Sequence, residues 1–226
     1  MYWTEDEDEK GKATDKVVEL VCSIRCRSLP VDHVWPLADA LVSALPWLAE
    51  GQGAGVLPIS IPESGNGWMR PEGADELIHL SRRTKLVLRI PSTRFDEADA
   101  LMGKRFEVAG NALEITKIEK RSLQAMETLL SHFMVHGADT AEQDFLKSTF
   151  EQLKGMGVAV RKMLPGKGRV IRTPNGDLHT SSLMLAELTP EESLIVQECG
   201  LGDHQHLGCG VFIPQKDISE VYEIHE

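Results

Sequence analysis

The chain has 226 residues, 42% of them hydrophobic, enough for one large domain or two small ones around buried cores. Its formal net charge of −11 argues against a general nucleic-acid binder, whose grip comes from lysine and arginine on phosphates. No apolar run approaches the ~20 residues that span a bilayer, and the opening "MYWTEDEDEK" is acidic where a signal peptide is basic and then apolar, so a cytoplasmic protein without a membrane partner is expected.

The charge is uneven. Five consecutive acids, Glu5 to Glu9, mark residues 1–15 as an acidic, disordered tail. By contrast "RKMLPGKGRVIR" carries Arg161, Lys162, Lys167, Arg169 and Arg172 with no acid among them. The four cysteines, Cys22, Cys26, Cys199 and Cys209, form no C-x-x-C pair and read as reduced and structural.

In chain order, "VVELVCSIRCR" alternates Val18, Leu20, Cys22, Ile24 and Cys26 against Glu19, Ser23, Arg25 and Arg27, the period of a half-buried strand. "DHVWPLADALVSAL" places Leu37, Ala38, Leu41, Val42 and Leu45 at helical spacing, with Asp32 as the expected N-cap. "GVLPISI" reads as a short strand, "PESGNGWMRPEG" as a loop, and "LIHLSRRTKLVLRIP" as a turn into a strand. A short helix over "TRFDEADALM" ends at Gly103, and "FEVAGNALEITKI" supplies a strand pair about a Gly-Asn turn. Strand, helix, strand, strand, helix, strand is the ferredoxin-like order.

The second half repeats it. "METLLSHFMV" is read as a strand, and "DTAEQDFLKSTFEQLKG" as a helix capped by Asp139 or Thr140 and stopped by Gly155. "VAVRKML" and "RVIRTPNGDLHTSSLML" predict strands joined by turns, one of them at Pro174-Asn175-Gly176. "TPEESLIVQECG" predicts a helix with Thr189 as N-cap, Pro190 at N1, Glu192 at N3 and Gly200 past the end, before a last strand "CGVFIP". The fold class expected is α+β: two tandem ferredoxin-like (βαββαβ) domains, residues 16–120 and 121–226, dividing near 119–124.

The chemistry-bearing candidates are few. "GLGDHQHLGCG", Gly200 to Gly210, follows a helix and precedes a strand, the reverse of a dinucleotide fingerprint, so no nucleotide cofactor is expected. Gly202 and Gly208 can bring bare backbone close to a phosphate chain, or simply turn the chain. His204 and His206 lack the paired spacing of a zinc site, and no metal is expected; beside phosphates they would gain charge as pH falls. His33, at the start of the first helix, is expected to be partly exposed, with a pKa suited to proton transfer or simply a place on the surface. Arg82 and Arg83 form a second basic cluster, or a solvated turn.

Three stretches carry a family resemblance: "LPVDHVWPLADALVSALPWL", "LSRRTKLVLRIP" and "LTPEESLIVQECGLGDHQHLGCGVFIPQKD". With tandem ferredoxin-like halves and a glycine-rich loop before the last strand, the chain resembles the repeat-associated mysterious protein (RAMP) superfamily of CRISPR systems. Within it, the chain is similar to the repeat-cleaving branch, CRISPR-associated protein six, in its "Cas6-like" variant, from about Leu20 to Asp217. The resemblance implies metal-independent, cofactor-free cleavage of CRISPR precursor RNA within its repeats, by 2′-hydroxyl attack that leaves a cyclic phosphate. It implies His33 as general base or acid, and Arg82, Arg83, Arg161, Lys162, Lys167, Arg169, Arg172, Gly202, His204, His206 and Gly208 as contacts to repeat RNA. Other subunits of a CRISPR effector complex are the further partners it implies. The chain departs from the family in carrying "DHQH" where arginine or lysine is common in the loop. A non-catalytic subunit holding the repeat hairpin, and a small-molecule-binding protein of the same fold, are the competing readings.

Overall fold

The computed structural model describes residues 16–50, 53–59, 73 and 76–215; the expected acidic tail lies outside them. The first half is built on β1 (Val17–Arg25), whose alternate residues Val18, Leu20, Cys22 and Ile24 are buried in one apolar cluster. After β2 (Ser28–Pro30) comes α1 (Val34–Ala44), which adds Leu37 and Leu41 to that cluster. There follow β3 (Gly55–Leu57), β4 (Leu77–His79), β5 (Lys85–Pro91), the short α2 (Phe95–Asp99), β6 (Arg105–Val108) and β7 (Asn111–Ser122). The sheet order is β3-β5-β1-β7-β6, all antiparallel, while β2 and β4 pair separately.

The second half consists of β8 (Leu129–His136), α3 (Glu142–Gly155), β9 (Lys162–Ile171), β10 (Leu178–Ala186), α4 (Pro190–Cys199) and β11 (Phe212–Pro214), in the order β11-β8-β10-β9. That is the ferredoxin-like order, fourth strand, first, third, second. The first sheet has the same order with β6 added outside its fourth strand, so the tandem ferredoxin-like class holds. Each half has its own core, Leu20, Leu88 and Leu113 among the buried side chains of one, Leu129, Leu183 and Phe212 among those of the other. Among the described residues no helix is long and apolar enough to cross a membrane. All four cysteines are free thiols; burial pushes those of Cys22 and Cys209 up to about 12.

Several local expectations shift. The N-cap of α1 is His33, not Asp32, and no side chain caps it. Ala141 is the N-cap of α3, without a side-chain bond; Thr140 is instead tied back by its amide to the Gly137 carbonyl, so the expected cap falls one or two residues early. The left-handed glycine ending α3 is Gly157 (φ +81°) rather than Gly155, which is its last helical residue. The β6–β7 turn is Ala109-Gly110, both at positive φ, and Asn111 already pairs with Val108. "PGKG" is not a turn but the middle of β9. As the edge strand β9 pairs only with β10, so Pro165 is tolerated there, and β9 bulges at Gly166-Lys167, two residues set opposite the single Ser182 of β10. The capping box on α4 forms as expected: the Thr189 hydroxyl accepts from the Glu192 amide and the Glu192 carboxylate from the Thr189 amide.

The largest departure is on the non-core face of the first sheet. Glu19 and Arg89 alternate with core residues and read as solvent-facing, yet they are 4% and 2% exposed, because α4 and β11 of the second half lie over that face.

Candidate functional site

The two halves meet around the start of α1 and the glycine-rich loop. Val34, Trp35 and Ala38 of α1 pack with Leu207 and Cys209 of the loop, Phe133 of β8, and Ile171 and Leu178 at the β9–β10 turn. His33 sits at this junction and is buried, 2% exposed, where partial exposure was expected; the second half closes over the helix start. Its Nδ1 lies 2.8 Å from the Pro30 carbonyl. A carbonyl only accepts, so Nδ1 carries the proton of the neutral ring and Nε2 the lone pair. Beside it Arg172 Nε stands 3.8 Å from Asp32 Oδ2, and the Arg172 side chain is 62% exposed. This long contact joins the residue just after β9 in one half to the helix start of the other.

The loop's glycines divide into two kinds. Gly200 and Gly210 lie at positive φ inside the turn, where a Cβ on Gly200 would fall 2.9 Å from the Gly210 carbonyl oxygen. Leu201 N–H donates to Gly210 O (3.0 Å), Gly210 N–H to Phe133 O (2.7 Å), and Gln205 Nε2 to Cys199 O (2.8 Å), which knits the loop to itself and to β8. Gly208, expected at the RNA, is buried: a Cβ there would stand 2.7 Å from the Val56 carbonyl oxygen and 2.9 Å from Pro58 Cδ. Its role is close docking against β3, and it is removed from the candidate surface. Gly202 alone of the four faces open space, and with Asp203 and His204 it forms the loop's exposed arm. These three line the rim of a recess of about 360 Å³ shared with His136, Asp144 and Ser148.

His204 is exposed and His206 half-buried, with ring centroids 5.9 Å apart. Burial, then the neighbouring His204, holds the His206 ring below the ordinary histidine range, so it is neutral at neutral pH. Arg161 also has a structural part: its Nη1 donates to Glu192 Oε2 (2.7 Å), Glu187 O (2.8 Å) and Ala159 O (3.1 Å), bracing the α4 N-terminus, while the side chain stays 40% exposed. Lys162, Lys167 and Arg169 are exposed on the edge strand β9, and no ion pair involves them among the described residues. Arg82 and Arg83 are exposed in the Ser81–Thr84 turn, which leads out of β4, the partner of β2. The structure thus gathers His33, Arg172 and the buried half of the loop, leaves Lys162, Lys167 and Arg169 as a strip leading to them, and sets Arg82–Arg83 on a separate turn.

The Cas6 Crispr family model matches residues 18–217. The chain belongs to the Cas6 Crispr family. It is 27% identical over 197 residues to a protein of Myxococcus xanthus (strain DK1622) named CRISPR-associated endonuclease Cas6, which covers 87% of this chain and 81% of the relative. Among solved structures it resembles "An RAMP protein binding different RNA substrates" (TM-score 0.63, 12% identity, 88% of this chain and 100% of that one). It also resembles "CRISPR associated protein Cas6" (TM-score 0.56, 14% identity, 88% and 98%). At these identities the structures speak for the fold.

In this Cas6 chain the residues that sequence reading missed are Arg89, which bonds across the halves, Glu19 and Arg121, which hold it in the first sheet, and Gln205, which braces the loop within the second half. Glu19 and Arg89 carried one signal, an acid and a base at alternate positions of otherwise apolar strands. Nothing local distinguishes such a pair from a solvated one.

Proposed function

We propose that this Cas6-family chain is an endoribonuclease that cleaves CRISPR precursor RNA within its repeats, without metal, by 2′-hydroxyl attack. The observation that carries the reading is the family match across residues 18–217, together with a relative named an endonuclease over most of both chains. His33 is the proposed general base. With Nδ1–H donated to Pro30 O, the ring offers Nε2 to the 2′-hydroxyl proton. The 2′-oxygen bonds to phosphorus, the P–O5′ bond breaks, and the departing oxygen takes a proton from solvent or a second donor, leaving a 2′,3′-cyclic phosphate.

Burial of His33 sets a condition on this chemistry. The RNA must enter where Arg172 and Asp32 meet, and their 3.8 Å contact is long enough to be exchanged for an Arg172–phosphate contact. Arg172 so placed also stabilises charge on the phosphorane. Lys162, Lys167, Arg169, Arg82 and Arg83 are the proposed grip on the repeat, read through its phosphates and 2′-hydroxyls, with Gly202, His204 and His206 as the loop's contribution. His206, held neutral, lends the loop little charge at neutral pH, which puts the electrostatic weight on β9.

The test is single-turnover cleavage of the source organism's own CRISPR repeat, labelled at its 5′ end, in excess protein and EDTA. A 5′ fragment ending in a cyclic phosphate is expected, with His33→Ala slowing its appearance by ~10² to 10⁴-fold while affinity holds. Tight binding with no cleavage would refute the enzyme and leave the RNA-holding subunit. Wild-type cleavage by His33→Ala would refute the assignment of the base.

A further inference from the structure

We infer that Arg89 is the positioning residue of the glycine-rich loop, clipping both of its ends to the first sheet; its part in cleavage rests on the function proposed above. Arg89 lies on β5, opposite Glu19 of β1 and Gly55 of β3. Its Nη1 donates to the Gln197 carbonyl (2.9 Å) in the last turn of α4 and to the Phe212 carbonyl (2.7 Å) in β11. Those two residues flank Gly200–Gly210 on either side. Its Nη2 donates to Glu19 Oε1 (2.8 Å), and Arg121 holds the other oxygen of Glu19 through Nη2 (2.6 Å) and Nε (3.1 Å).

The geometry is selective for arginine. One planar guanidinium spans two carbonyls of the second half and a carboxylate of the first, which a single ammonium on a lysine does not reproduce. It also lies at the C-terminal end of α4, where a positive charge meets otherwise unsatisfied carbonyls. Burial acts to raise the Glu19 carboxyl, but Arg89 and Arg121 outweigh it and hold the group ionised below its ordinary value. The charge that holds Arg89 is therefore present across the physiological range. Simple adhesion between the halves does not need this device, since apolar residues of similar volume serve as well. What a fork of three bonds adds is a fixed direction.

That direction adds to a loop otherwise held on the first half by close packing against β3 and α1. Its internal bonds shape the turn, and the close approach of Gly208 to Val56 and of Gly55 to Gln205 sets a distance. Leu207 and Cys209 then meet Val34 and Trp35, the residues that follow His33. Loosening Arg89, itself buried and no part of the proposed grip, thus shifts the exposed arm Gly202–His204 against the start of α1 while the β9 cations that carry most of that grip stay in place.

The experiment compares wild type, Arg89→Lys and Glu19→Gln by amide hydrogen exchange, repeat-RNA affinity and single-turnover cleavage. For Arg89→Lys, exchange at Leu201 and Gly210 is expected to rise at least ~10-fold while β8 and β10 amides stay protected. The cleavage rate falls ~10 to 100-fold and the dissociation constant moves less than ~3-fold. Unchanged loop exchange, a rise spread equally over both sheets, or affinity lost in step with rate would each overturn the inference. If Arg89→Lys does not fold, Glu19→Gln decides: it keeps the volume, and a loop-confined rise in exchange is required of it. A wild-type protein that cleaves no repeat refutes the proposed function, and the exchange pattern still decides Arg89.

Discussion

Glu192 offers the sharpest test of the energetics. Its carboxylate accepts from Arg161 Nη1 (2.7 Å), the Thr189 amide (2.8 Å) and the Ala159 amide (2.9 Å). These bonds, Arg161 first, hold the group down to about 2 against an ordinary value of 4.5. At 1.36 kcal/mol per tenfold change, that gap corresponds to about 3 kcal/mol of stability, and solvent around Arg161 screens it to about 2 kcal/mol. A folded-state value below the unfolded one means the contribution is full above the unfolded pKa near 4.5 and is lost as pH falls toward 2. Glu192→Gln keeps the shape but removes the charge and one of the acceptor oxygens. For a chain of this size it should lower the melting temperature by about 4–8 °C at pH 7. Circular-dichroism melts at pH 7 and pH 3 check this, and the gap to wild type should shrink to less than half at pH 3. A drop below ~1 °C at pH 7, or a gap independent of pH, would refute the reasoning.

Gly208→Ala places a Cβ 2.7 Å from Val56 O at φ +78°, whereas Gly202→Ala meets nothing at φ +67°. Urea unfolding should show a loss of about 2–4 kcal/mol for the first and about 1 kcal/mol for the second, and equal losses would undo the division of the loop into docked and exposed glycines. Neutralising Arg169 and Arg172 together should weaken repeat binding and flatten the slope of log affinity against log salt by about 1 per residue; an unchanged slope takes the C-terminal end of β9 and the residue after it out of the interface. Cys22 and Cys209, buried and pushed up to about 12, should escape alkylation at pH 8 in the native protein and react after denaturation, as read by mass spectrometry.

Much of the fold was legible because it is encoded locally. Alternation through Val18, Leu20, Cys22 and Ile24 made β1, and Thr189, Pro190 and Glu192 fixed the start of α4 within three residues. Order along the chain then implied the tandem ferredoxin-like plan, and three stretches spread over the length carried the family. The ends of α3 were less legible, because an N-cap and a left-handed glycine can each slide a residue or two at small cost.

Of the site, the sequence by itself determined an inventory: a histidine at a helix start, a basic run from Arg161 to Arg172, and a loop stripped of side chains. Tertiary structure alone decided which members face solvent. His33 is buried because the second half closes over α1, and Gly208 because β3 approaches the loop backbone, whereas Arg161 stays exposed with one guanidinium nitrogen held by Glu192. Glu19 and Arg89 sit on the polar side of their strands, and they are interior because α4 and β11 lie across that side. The physical reason is common to the buried ones: strand and helix periods state which face of an element is apolar, while the burial of a polar face depends on a surface far away in the chain, 108 and 123 residues for the two carbonyls that meet Arg89.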